Sequence, residues 1–80
     1  MQRRRLGKTD IHVSPIGMGC WSYGGGEYWG EQSQRDVDYI VSMALDLGIN
    51  LFDTAEMYNA GASEESLGKA LKGKRSRAII

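Results

Sequence analysis

Apolar positions along the chain fall into short runs and helical stripes, separated by glycine, proline and small polar residues. Arg3 to Leu6 and Ile11 to Val13 are short strand-like runs flanking Gly7-Lys8-Thr9-Asp10. A glycine-containing connection of that length predicts a β-hairpin. Ser14-Pro15 then interrupts the ladder, because proline has no amide hydrogen to donate. Ile16 to Trp21 is apolar and contains Gly17 and Gly19, which predicts a short buried strand approached closely by a ligand or a neighbouring strand. Ser22 to Gln32 follows neither a helical nor a strand period and reads as a loop. Its aromatic residues would wall a pocket or cover an edge.

Ser33 opens a helix, since its hydroxyl can cap and Asp36 places negative charge in the first turn. Val37, Ile40, Val41, Ala44 and Leu45 recur on one face at helical spacing, and Gly48 supplies the stop. Ile49 to Phe52 is an apolar run of strand length that ends abruptly at Asp53. A second helix starts near Ser63, with Glu64 and Glu65 in its first turn and Leu67, Ala70 and Leu71 as its apolar stripe. Gly73 ends it, with Lys72 and Lys74 beside it. Ala78 to Ile80 looks like the opening of a third strand. Strands alternating with helices after the hairpin predict an α/β chain, with a parallel sheet and right-handed crossovers.

Composition narrows the partners. Ten basic and ten acidic residues give a formal net charge of zero, which provides no long-range field for nucleic acid or a membrane surface. No apolar run approaches the ~20 residues of a membrane span, and the basic opening lacks the apolar segment of a secretory signal. A single cysteine, Cys20, excludes an internal disulfide and suits a reducing compartment. The expectation is a soluble cytoplasmic chain without nucleic-acid or membrane partners. His12 and Cys20 have no companion ligands, so no metal site is expected. Gly17-x-Gly19 lacks the third glycine of a dinucleotide fingerprint, and Gly24-Gly25-Gly26 lacks the Lys-Ser/Thr of a phosphate loop and reads as a flexible segment. Lys72 to Arg77 reads as a solvated helix terminus, without aromatic residues interleaved for nucleic acid.

The candidate chemistry lies at Asp53 and Tyr58. A carboxylate closing a buried strand calls for a partner or a task, and a phenol five residues on carries both a donor and an acceptor. Loops leaving the C-terminal ends of parallel strands are where α/β proteins hold ligands.

The run Gly48-Ile49-Asn50-Leu51-Phe52-Asp53-Thr54-Ala55-x-x-Tyr58-x-x-Gly61-x-Ser63-Glu64-x-x-Leu67-Gly68 strongly resembles the aldo-keto reductase family. So do Leu6-Gly7-Lys8-Thr9, Val13-Ser14-Pro15 and Ile16 to Trp21 upstream. That family folds as a TIM-type (β/α)8 barrel of roughly 250 residues or more. The resemblance therefore implies that residues 1–80 are an incomplete N-terminal portion of one barrel domain: hairpin, first strand and helix, second strand and helix, and the start of a third strand. It implies that Tyr58 is the general acid for carbonyl reduction by NADPH, that Asp53 belongs to the same catalytic group and borders the cofactor, and that Gly19, Cys20 and Trp21 lie near the nicotinamide ribose. Trp21 and Trp29 would line the pocket of a small-molecule carbonyl substrate. Cys20 stands where threonine is common, and Asn59 where glycine is common; asparagine tolerates the left-handed backbone such a turn needs.

A phenol normally titrates at roughly 10, and proton donation near neutrality calls for a nearby cation. The family's catalytic lysine and histidine lie beyond the matched motifs. Lys69, Lys72 and Lys74 are expected to sit too far along the second helix to replace that lysine. The isolated segment is accordingly expected to be inactive. The alternatives are a non-catalytic nucleotide-binding subunit on the same fold, or a truncated product without function.

Overall fold

The computed structural model describes residues 1–80. Strand β1 (Arg4–Arg5) pairs antiparallel with β2 (His12–Val13), Arg4 opposite Val13 and Arg5 opposite His12. The turn between them closes through Thr9, whose hydroxyl donates to Leu6 O (2.6 Å) and accepts from the Ile11 N–H (3.1 Å). His12 is exposed on this hairpin, its Nδ1 3.2 Å from Asp10 O. Buried Asn50 ties the hairpin to the sheet. Its Oδ1 accepts from the Ser14 N–H (2.6 Å), and its Nδ2 donates to His12 O (2.9 Å).

Helix α1 (Gln34–Asp46) begins as its cap signal predicts, with Ser33 Oγ accepting from the Asp36 N–H. It ends in a Schellman arrangement: Ile49 N–H reaches Ala44 O (2.9 Å) and Gly48 N–H reaches Leu45 O (3.0 Å). Val37, Val41, Ala44 and Leu45 are buried, but Ile40 is 39% exposed. Ile40 lies in a row with Met43 and Leu47, at the three- and four-residue spacing of one helix face, and all three are exposed. The apolar stripe of α1 is thus wider than the face the core covers.

Strand β3 (Gly17–Gly19) pairs in parallel with β4 (Leu51–Asp53), in the register Gly17 to Leu51, Met18 to Phe52 and Gly19 to Asp53. The third strand begins where the sequence places it. Phe52 N–H donates to Ile79 O (2.8 Å) and Ile79 N–H to Asn50 O (2.7 Å), making a parallel bridge on the other side of β4. The expected burial of Ile16 to Trp21 holds only in part: Cys20 is in the core and Met18 packs against it, while Ile16 and Trp21 are exposed. Within residues 1–80, β3 has β4 on one side only, and Ile16 is 58% exposed.

Helix α2 (Ala62–Ala70) packs against α1, and both cover the sheet face that receives Phe52. Phe52, Val37, Val41, Leu67 and Leu71 are the centre of the core, each at most 1% exposed. Because side chains alternate along a strand, Leu51 and Asp53 face away from the helices. The basic segment after α2 is not wholly solvated. Lys74 Nζ donates to Ser42 Oγ on α1 (3.2 Å), and Arg77 lies 3.7 Å from Asp46 in an exposed ion pair of little energetic weight. No helix is long and apolar enough to cross a membrane.

Candidate active site

The C-terminal ends of β3 and β4 are locked in register by a hydrogen bond from the Cys20 N–H to Asp53 O (2.9 Å). A hydroxyl relay adds the start of α2. Ser63 Oγ donates to Cys20 O (2.6 Å), and Thr54 Oγ1 stands 2.8 Å from Ser63 Oγ. Since the Ser63 proton goes to the carbonyl, Thr54 is the donor in the second bond. Ser63 is fully buried, so the relay spends no polar group on water. Residue spacing shows Ser63 only as the opening of a helix; its partners come from two other elements and leave no local signal.

Asp53 emerges from this junction exposed to solvent, and its carboxylate has neither an ion-pair nor a hydrogen-bond partner. Solvation, not pairing, removes the cost that the sequence assigned to it. The chain then turns through Tyr58–Gly61, with the Tyr58 N–H on Ala55 O (3.1 Å). Asn59 (φ 53°, ψ 43°) and Ala60 (φ 54°, ψ 38°) both adopt the left-handed conformation, which asparagine tolerates and alanine pays for with about 1 kcal/mol. Tyr58 is half-buried, and its ring lies 6.1 Å from that of Trp21.

Trp21 is the hub of an aromatic rim. Tyr28 stacks on it (5.5 Å between centroids, 11° between planes), and Trp29 meets it edge-on (5.1 Å, 83°). These contacts bring together Trp21, Trp29 and Tyr58, and add Tyr28, which sequence reasoning left in an undifferentiated loop. Gly24, Gly25 and Gly26 of that loop lie in close contact with neighbouring chain, whereas Gly30 has open space around it. A Cβ on Gly24 would lie 2.6 Å from Ala62 Cβ, and Gly26 and Gly30 exchange two backbone hydrogen bonds that lift Tyr28 and Trp29 to the tip.

Cys20 is fully buried, with its N–H and C=O both engaged. It therefore lies beneath the rim and offers no exposed atom there, in contrast to Gly19, which is exposed and would have open space around a Cβ. Burial, with the Asp53 charge adding to it, pushes the Cys20 thiol up from 9.0 to about 11, against the lowering effect of Tyr23. Tyr23 Oη is itself buried without a full hydrogen bond. Burial, then the neighbouring thiol, raises it to about 12. A thiol whose pKa is higher folded than unfolded contributes stability that is complete below about pH 9 and is lost as pH rises through about 11. Native Cys20 is expected to resist iodoacetamide at pH 8 and to react on addition of urea. A Cys20→Val variant should lose part of the alkaline destabilisation measured by near-UV dichroism.

A cleft of about 500 Å³ bordered by Arg3, His12, Asn50 and Arg77 lies at the opposite end of β4 from Asp53. It is separate from the rim.

A parallel strand–helix–strand–helix unit, with an acid at the exit of β4 and a phenol beyond it, defines an α/β chain whose candidate site lies on the C-terminal side of the sheet. Residues 15–80 match the Aldo/keto reductase family, and the chain belongs to that family. It is 42% identical over 82 residues to aldo-keto reductase YhdN of Bacillus subtilis (strain 168), an alignment that takes in 100% of this chain and 24% of the relative. The holo form of aldo-keto reductase AKR11C1 from Bacillus halodurans superposes with a TM-score of 0.84 at 41% identity, covering 100% of this chain and 24% of that one. The thermostable aldo-keto reductase Tm1743 superposes at 0.81 with 32% identity, over 100% of this chain and 30% of its own. The chain spans about a quarter of the length of the curated relative it matches. Its fold is the first part of a (β/α)8 barrel, and no barrel closes within it.

Proposed function

We propose that these residues open a single barrel domain of a cytoplasmic NADPH-dependent reductase for small aldehydes and ketones, which also runs the reverse alcohol oxidation. The observation that carries this reading is the position of Tyr58: half-buried beside Trp21, on the loop that leaves β4 at exposed Asp53. Gly19 leaves open space at the end of β3, and the Asp53 carboxylate beside it is free to accept from hydroxyl groups, so this corner fits a nucleotide ribose. The relative from Bacillus halodurans was solved in a holo form. Bound NADPH supplies the hydride.

Trp21 and Trp29 hold the substrate against the rim and exclude water from it. Tyr58 donates its phenol proton to the carbonyl oxygen as negative charge grows there, a role worth about a hundredfold to ten-thousandfold in rate. Such donation needs a cation beside the phenol. Lys74 is committed to Ser42 on α1 and is not that cation. Asp53 is placed to hold an ammonium group contributed from outside residues 1–80, and residues 1–80 alone are inactive. The full-length protein is expected to oxidise NADPH when an aromatic aldehyde is added, while the isolated segment does not. No aldehyde-dependent oxidation by the full-length protein would overturn the reading.

A further inference from the structure

The turn that carries Tyr58 and the loop that carries Trp21 are separate in sequence, and one side chain joins them. Asn59 Nδ2 donates to Trp21 O (2.8 Å) and to Tyr23 O (3.1 Å). Both partners are carbonyl oxygens, so the amide can face them only with its NH2 group, and each hydrogen has its own acceptor. The Oδ1 is left pointing at the backbone of Gly26, where a Cβ would lie 2.7 Å from it. Position 26 thus has room for the Asn59 amide because it is glycine. The left-handed backbone at Asn59 (φ 53°) turns the side chain back across the loop instead of out to solvent.

We infer that Asn59 is a positioning residue for carbonyl reduction. Its amide clamps the Trp21–Tyr23 backbone to the Tyr58 turn, and so fixes the aromatic substrate wall relative to the proton donor. This inference rests on the function proposed above and deepens it. The stacks of Tyr28 and Trp29 on Trp21 pass the constraint on: holding the Trp21 carbonyl orients the rest of the rim. Glycine at position 59 could adopt the same left-handed turn but could not form this clamp, so the Asn59 amide adds a constraint that the turn itself does not require. Reaction depends steeply on such placement, because a misplacement of about 1 Å can cost a hundredfold.

Asn59→Gly in the full-length protein removes the amide while keeping the left-handed turn. Asn59→Asp, nearly isosteric, turns a carboxylate without hydrogens toward the same two carbonyls. Both variants are expected to raise the KM for an aromatic aldehyde about tenfold and lower kcat, with a smaller rise in the dissociation constant for NADPH. A purely structural role would reduce the active fraction and leave the aldehyde KM as it was. Hydrogen exchange of the 21–26 amides provides a readout independent of turnover, and is expected to quicken at least tenfold in both variants. Unchanged aldehyde KM, or unchanged exchange in that segment, overturns the clamp. Wild-type protein that turns over no aldehyde would refute the reductase reading and with it the catalytic role given to Asn59, and the exchange data would still decide whether the clamp exists.

Discussion

Replacing Tyr58 by phenylalanine in the full-length protein is expected to lower kcat for aldehyde reduction by about a thousandfold, within the range assigned to general acids. The substitution removes one oxygen and leaves the ring in its contact with Trp21, so cofactor affinity and folding should be unchanged. The loss should appear equally in kcat and in kcat/KM, as expected of an interaction made in the transition state. Steady-state NADPH oxidation and a fluorescence titration with NADPH separate the two effects. A decrease smaller than tenfold would assign the proton to another donor.

The second large effect concerns Phe52. Its side chain is 1% exposed in the middle of β4, among residues from both helices. Phe52→Ala would leave a cavity beneath the strand that delivers Asp53 to the rim, and large-to-small changes of this kind cost about 3–5 kcal/mol. The expected outcome is a large shift of the urea unfolding midpoint to lower concentration. Because β4 also holds β3 in register and receives residue 79, activity should fall with stability. A variant that unfolds within 1 kcal/mol of wild type, by the usual linear extrapolation, would show that the helices do not depend on this strand for their packing.

The parts of the molecule legible in the sequence are those set by local chemistry. Ser33, Asp36 and Gly48 mark the ends of α1 because capping involves neighbours a few residues away. The parallel pairing of β3 with β4 follows from the strand–helix–strand order. Ile40 shows the limit of periodicity: it has the spacing of a core residue, yet the core covers Val37 and Val41 and leaves Ile40 at the edge. The spacing specifies the stripe, while the helix that packs on it decides how much of the stripe is covered.

At the site, Asp53 and Tyr58 stand out in the sequence because a strand ends at one and a loop carries the other. The long-range bonds that arrange them do not. Ser63 reaches Cys20 across 43 residues, and Asn59 reaches Trp21 across 38. Such partners are brought together only by the parallel crossover, so no window of sequence contains both. Cys20 illustrates the converse: its place at a strand end points to the rim, yet it lies in the core cluster with Tyr23, its carbonyl held by Ser63. The glycine-rich loop likewise looks permissive in composition, although Gly24 and Gly26 are confined by Ala62 and Asn59.

The most direct test of the account follows one hydrogen and one phenol. Full-length protein supplied with NADPH deuterated at the transferable position and an aromatic aldehyde should give alcohol carrying deuterium on the carbinol carbon, detected by NMR. Tyr58→Phe should form that product about a thousandfold more slowly. Unlabelled alcohol would contradict hydride transfer from the cofactor, and labelled alcohol formed at equal rates by both proteins would contradict proton donation from Tyr58 at this rim.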